Sequence, residues 1–160
     1  MTDRLPILLD CDPGHDDALA IVVAGRCARL LGITTVAGNA PIAAVTRNAL
    51  IMRELLALDV EVHQGAERPL VAAPTFAPEV HGASGLDGPA LPAPRRPIDS
   101  ADAVGFIIDT CAAHPGTWIV ATGPLTNIAA ALQTGELADH VAGISVMGGG
   151  RFGNRTAVAE

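Results

Sequence analysis

Short apolar runs alternate with segments of helical period along this chain, the pattern of βαβ units that build a parallel sheet. Leu5–Leu9 is a continuous apolar run, as expected of a strand buried on both faces. A helix is predicted over Asp17–Ala24, closing near Gly25, and a second strand over Leu30–Val36. Pro41 stands where a first helical residue belongs, and Ala43–Leu58 is helical by period. Val60–Gln64 predicts a third strand. Ala101–Ala113 predicts a helix capped at Ser100. Trp118–Ala121, Pro124–Leu132 and Ile144–Met147 then read as strand, helix and strand. Between the third strand and the next helix lies one long irregular stretch, Arg68–Pro97, which holds seven of the twelve prolines. Loops of that length inside compact domains serve as functional flaps or as plain surface excursions, and both remain open here.

Composition narrows the chemistry. The chain has 160 residues, 49% of them hydrophobic, and a formal net charge of −7. That supports one globular unit with a filled core and excludes a disordered tail. All ten basic residues are Arg, and both Lys and Tyr are absent. Schiff-base lysine chemistry, a phosphate-loop lysine and a tyrosine acid or base are therefore excluded. An acidic chain with 2% aromatic residues has no platform for nucleic acid. The three cysteines, Cys11, Cys27 and Cys111, form no Cys-x-x-Cys pair, so the sequence suggests no zinc site or disulfide framework and points to a reducing cytoplasm. No segment approaches a membrane span, and the first apolar run is too short for a signal peptide.

The chemistry concentrates in Asp10-Cys11-Asp12-Pro13-Gly14-His15-Asp16-Asp17, four carboxylates within eight residues at the end of a strand and the start of a helix. A first helical turn stabilises one or two of them through its free N–H groups and dipole. It gives no reason for carboxylates at the end of an apolar strand, where they repel each other and lose water. A hard cation resolves that repulsion, and carboxylate oxygens suit Ca²⁺ or Mg²⁺. The spacing does not fit an EF-hand, whose sixth and twelfth positions would fall on His15 and Ile21. A magnesium-dependent phosphatase, with Asp10 as nucleophile and Asp12 as acid, is a rival, although Pro13-Gly14 departs from its pattern. Gly148-x-Gly150-x-x-Gly153 matches the dinucleotide pattern but lacks the helix and acidic partner that pattern needs. Other polar groups fall at the ends of the remaining strands: Gly38-Asn39, Thr122 to Asn127, and Met147 with the glycine run toward Asn154 and Glu160. In a parallel sheet these share one carboxyl edge with the aspartate loop, which is where ligands bind. Taken singly, Gly38-Asn39 also suits a plain turn, Thr122 a helix cap, His81 an ordinary loop and Met147 the core.

The aspartate segment resembles the N-terminal signature of the inosine–uridine preferring nucleoside hydrolase family. Thr34 to Asn39, Thr46-Arg47-Asn48-Ala49, His81 to Gly85, Thr122 to Asn127, Met147 to Gly150, and Asn154 through Val158-Ala159-Glu160 resemble the same family in the same order. The resemblance covers the whole chain. It implies an α/β Rossmann-like nucleoside hydrolase fold, an open, mostly parallel sheet with helices on both faces, here truncated so that 1–160 is the N-terminal part of a single domain. The family's chains run to about twice this length. A further calcium-binding Asp, a ribose-binding Asn and a His near the leaving base are therefore expected outside this chain.

The implied activity is calcium-dependent hydrolysis of the N-glycosidic bond of ribonucleosides to ribose and free base, in cytoplasmic nucleoside catabolism and salvage. By the same resemblance, Asp12, Asp17 and the backbone carbonyl of Thr122 would hold Ca²⁺, with Asp12 also the general base. Asp16 and Asn39 would hold ribose hydroxyls. Asn154 and Glu160 would contact the 5′ side of the sugar, Met147 would line the ribose pocket, His81 would lie on a flap over the base, and Asp10 would support from behind. A dimer or tetramer is implied for the full-length form, with neither nucleic acid nor membrane as partner. Within the same family, a catalytically incomplete fragment or a non-catalytic binding half is the alternative.

Overall fold

The computed structural model describes residues 4–88 and 90–148. In chain order the elements are β1 (Pro6–Cys11), α1 (His15–Cys27), β2 (Arg29–Thr35), α2 (Ile42–Leu55), β3 (Glu61–Gln64), α3 (Pro78–His81), α4 (Ala103–Ala113), β4 (Trp118–Ala121), α5 (Thr126–Gln133) and β5 (Gly143–Val146). A 3₁₀ turn at Leu137–Asp139 precedes β5. The strands form one five-stranded sheet in the order β3-β2-β1-β4-β5, and every pairing is parallel. The α/β class and the open parallel sheet expected from the pattern are those observed.

The central strand explains its own sequence. Ile7, Leu9 and Cys11 join Ile21, Ile33 and Val62 in a core under α1 and α2. Leu8, from the alternate face, joins Ile107, Ile119, Ala121 and Ile128 under α4 and α5. Successive side chains of a strand point to opposite faces, so a strand covered by helices on both sides has no polar alternation. Each fully buried Leu or Ile contributes about 1.5–3 kcal/mol.

After β3 the chain crosses back over β1 to lay down β4 on the other side. The order of strand addition therefore reverses between β1 and β4. At such a switch point the loops leaving the two strands diverge and open a crevice. The aspartate loop leaves β1 there, and Thr122-Gly123 leaves β4.

Several boundaries differ from the expectation for local reasons. β1 runs on to Cys11, because Asp10 stays in register with Thr34 and Ala121. α4 begins at Ala103, and its cap is Asp102, whose carboxylate accepts from Gly105 N–H at 2.9 Å, rather than Ser100. Ser100 instead bridges to β3 and hydrogen-bonds His63 at 2.7 Å. α5 begins at Thr126, so Pro124 lies before the helix. Pro41 is the residue preceding α2 rather than its first. The long irregular stretch contains the single helical turn α3, which periodicity cannot reveal in four residues. Among the described residues no helix is long and apolar enough to cross a membrane.

Candidate active site

Asp10 lies inside the sheet with no exposed surface. Its Oδ1 accepts from Thr34 Oγ1 at 2.6 Å and from Asn127 Nδ2 at 2.9 Å, while Oδ2 has no partner among the described residues. Burial pushes its pKa up to about 6, against the lowering effect of those two bonds. Asn127 also donates to Thr35 O and accepts from Ala66 N–H, so one amide ties together β1, β2 and the loop leaving β3. A fully buried Asp10 cannot serve as a phosphatase nucleophile, since no phosphate can reach it.

Asp12 and Asp17 form the centre of the crevice. Both are buried. Asp12 Oδ2 accepts from Asn39 N–H at 2.6 Å, and Asn39 Nδ2 donates to Asp12 O and, more weakly, to Asp17 Oδ2. Asp17 Oδ1 accepts from Thr122 Oγ1 at 2.5 Å, so the β4 loop closes onto the first turn of α1. Thr122 is thus not a helix cap; its N–H donates to Asp10 O. Two glycines make the approach possible. A Cβ on Gly38 would overlap Asp12 Oδ2, and one on Gly123 would stand 2.8 Å from Asp12 Oδ1.

The electrostatics of this pair are unfavourable as they stand. Burial, and then the charge of Asp17, raise Asp12 far above the ordinary carboxylate range. Burial likewise raises Asp17, with Asp16 adding to it and Thr122 opposing it. Among the described residues no Arg is ion-paired to either carboxylate. Desolvated like charges without a counter-charge are costly, and carboxylates perturbed in this way gather at functional sites. The donors are all oxygen, which suits a hard divalent ion. Among the described residues no group of three or more His, Cys, Asp and Glu is gathered to hold a metal. Asp12 and Asp17 offer two carboxylates, fewer donors than a hard divalent ion takes, so an ion held here would need further oxygens or water.

Over the aspartate loop lies the segment from Ala77 to Gly88. Ala77 N–H donates to Asn39 O. His81 stacks on His15 with ring centroids 5.6 Å apart, and its Nδ1 accepts from His15 N–H at 3.4 Å. The Asp87 carboxylate accepts from the backbone N–H groups of Ala83 and Ser84 and from the Ser84 hydroxyl, which closes the tip into a compact turn.

The inosine-uridine preferring nucleoside hydrolase family model matches residues 7–160. The chain belongs to this family. A pyrimidine-specific ribonucleoside hydrolase of Escherichia coli is 46% identical over 162 residues, 98% of this chain and 52% of that protein. An uncharacterised protein of Schizosaccharomyces pombe is 46% identical over 164 residues, 98% of this chain and 53% of that one. Among solved structures, a plant nucleoside hydrolase superposes with a TM-score of 0.84 at 35% identity, over 99% of this chain and 52% of that one. A purine-preferring ribonucleoside hydrolase from Gardnerella vaginalis gives 0.81 at 32% identity, over 91% and 49%. The chain spans about half the length of the curated relatives it matches.

The candidate residues fall into three groups. Asp12, Asn39, Asp17 and Thr122 are joined in that order by hydrogen bonds, and His81 is adjacent: a Cβ on Gly14 would reach both its ring and the Asn39 amide. Asp16 is exposed in the first turn of α1, close enough to raise both buried carboxylates. Met147 is at the same sheet edge, where its N–H donates to Ala121 O and its side chain is exposed. Asn154 and Glu160 lie outside the described residues. The sequence reading assigned no role to Asn127, Asn48 or His15. Asn127 and Asn48 stand in quoted motifs, but nothing in a sequence shows which backbone groups a buried amide will meet.

Proposed function

We propose that the protein hydrolyses the N-glycosidic bond of ribonucleosides with calcium at the Asp12–Asp17 pair. The observation that carries this is the buried, uncompensated carboxylate pair at the β1/β4 switch point of a nucleoside hydrolase fold. Asp12, Asp17 and the Thr122 carbonyl would hold the ion. Calcium, when bound, lowers the pKa of a water molecule and positions it. A neighbouring cation also favours ionised carboxylates, so Asp12 becomes available as a base. Asp12 takes a proton from the attacking water, whose oxygen joins C1′ as the C1′–N bond breaks; the bond's electron pair leaves with the base, which takes its proton from solvent. Asp16 and Asn39 would hold the ribose hydroxyls, and Met147 would line the ribose pocket. Asn154 and Glu160 are assigned to its 5′ side, and His81 to the flap above the base. Negative charge around the sugar favours an oxocarbenium-like transition state over the neutral substrate. The named relatives differ in their base, pyrimidine in one and purine in another, so base preference is assigned to the flap rather than to the carboxylates.

The test is release of free base from uridine and inosine by the 160-residue chain, with calcium or with a chelator, beside Asp12→Ala. Calcium-dependent release that Asp12→Ala abolishes supports the proposal; release that persists in chelator contradicts it. A second reading, a binding half without turnover, is favoured by the span of half the relatives' length. It expects calcium binding with no release of base.

A further inference from the structure

The flap over the aspartate loop is held by a residue to which the mechanism assigns nothing. Asn48 lies on the inner face of α2 and is 1% exposed. A buried amide is costly unless its hydrogens are used. Both are used here, and on segments far apart in sequence. One donates to Pro13 O at 3.0 Å, and the other to Ser84 O at 3.0 Å. Pro13 O is the carbonyl that follows Asp12 in the aspartate loop, and Ser84 O is in the tip of the flap. The preceding carbonyl, Asp12 O, is held by Asn39. Two successive carbonyls of the aspartate loop are thus each fixed by an amide, and the second amide also fixes the flap.

The flap side is shaped for this contact. Gly85 has φ +77°, and a Cβ there would stand 2.9 Å from Ala40 Cβ and 3.3 Å from Asn48 Nδ2. Only glycine takes that backbone conformation without strain and lets the flap come so close. Asp87 closes the tip into a turn tied by its own hydrogen bonds. Its far side rests on the aspartate loop as well, since His15 Nε2 meets Asp87 O at 2.8 Å.

We propose that Asn48 is a positioning residue for the nucleoside, a latch that seats the flap and its His81 against the aspartate loop before substrate binds. The proposal rests on the ribonucleoside reading for its kinetic consequence alone; the latch itself is a property of the apo protein. A substrate that needs the seated flap binds with an apparent affinity reduced by the fraction of molecules unseated. Loss of the latch should therefore raise KM about tenfold while kcat changes less than threefold, because no reacting atom is touched.

The experiment compares the 160-residue chain with Asn48→Ala and with Gly85→Ala, which attacks the same contact from the flap and leaves α2 intact. Backbone hydrogen exchange is read by mass spectrometry across residues 82–88, calcium affinity by titration, and KM and kcat with uridine and inosine. The proposal expects exchange in 82–88 to rise at least tenfold in both variants, with β1 and β4 unchanged, calcium affinity within twofold of wild type, and the KM increase above. Unchanged exchange at 82–88 in either variant overturns it, as does an effect of equal size on kcat and KM. If Asn48→Ala fails to fold, Gly85→Ala decides alone. If the wild-type chain shows no turnover, the nucleoside reading fails for this chain, and the exchange data still decide the latch.

Discussion

Replacing Asp12 by Asn removes a charge while keeping shape and the acceptor for Asn39 N–H. The folded state holds the Asp12 carboxyl more protonated than the unfolded chain does, because burial and Asp17 raise its pKa. Between the ordinary carboxylate range and the folded pKa, the native state binds more protons, so stability falls as pH rises. Counting only part of that displacement, about 3 kcal/mol is carried by the metal-free protein. Weakening the charged hydrogen bond from Asn39 to a neutral one returns about 1 kcal/mol. The net expectation is that Asp12→Asn stabilises the calcium-free chain by about 1–2 kcal/mol at pH 8, or roughly 3–6 °C in Tm. At pH 5 most of the gain is absent, because wild-type Asp12 is then protonated. On the proposed function, calcium reverses the order. At a hundred times Kd it stabilises wild type by about 2.7 kcal/mol and leaves the variant unmoved. Thermal melts followed by circular dichroism, in chelator and in calcium at both pH values, give all four numbers. An Asp12→Asn variant that melts below wild type in chelator at pH 8 would refute the reasoning, as would a gain of equal size at pH 5.

Other consequences follow from the same geometry. Gly38→Ala places a methyl group against Asp12 Oδ2 and Pro124 and should cost about 1–3 kcal/mol and abolish calcium binding, read by urea denaturation and calorimetry. Asp16→Ala should weaken binding of ribose measured by calorimetry while calcium affinity stays within a few-fold, since Asp16 is exposed and bonds neither Asp12 nor Asp17. His81→Ala should shift the ratio of kcat/KM between inosine and uridine more than it shifts calcium affinity. Arg53 is 1% exposed and donates to Asp99, Arg96 O and Pro97 O, which fastens the end of the irregular stretch to α2. Arg53→Ala should cost about 3 kcal/mol in urea denaturation, because it empties a buried position and removes three hydrogen bonds, although Asp99 keeps those from Val62 N–H and Arg96; a loss under 1 kcal/mol would show the cluster to be slack.

The sheet was legible because its strands are buried on both faces: apolar runs such as Leu30–Val36 have no other economical place. The carboxyl edge was legible for the same reason, since parallel strands all end on one side. Caps were less so. Ser100 and Asp102 both suit a cap, and only the pairing of Ser100 with His63 across to β3 leaves Asp102 for α4. The aspartates were visible as an excess of charge, but their division of labour was not. Asp10, Asp12 and Asp17 look alike in sequence, and what separates them is that Thr34 and Asn127 enclose the first, whereas Asn39 and Thr122 leave the other two facing each other. Asn48 and Asn127 act through backbone carbonyls of distant segments, and pairings of that kind are set by the tertiary fold alone.

The central claim is that Asp12 and Asp17 form a cation site, and calcium titration of this chain at pH 8 by calorimetry tests it most directly. The account predicts one calcium per chain, tighter in the presence of ribose and lost in Asp12→Asn and in Asp17→Asn. Absence of binding by folded wild-type protein, or binding that survives both substitutions, would contradict it.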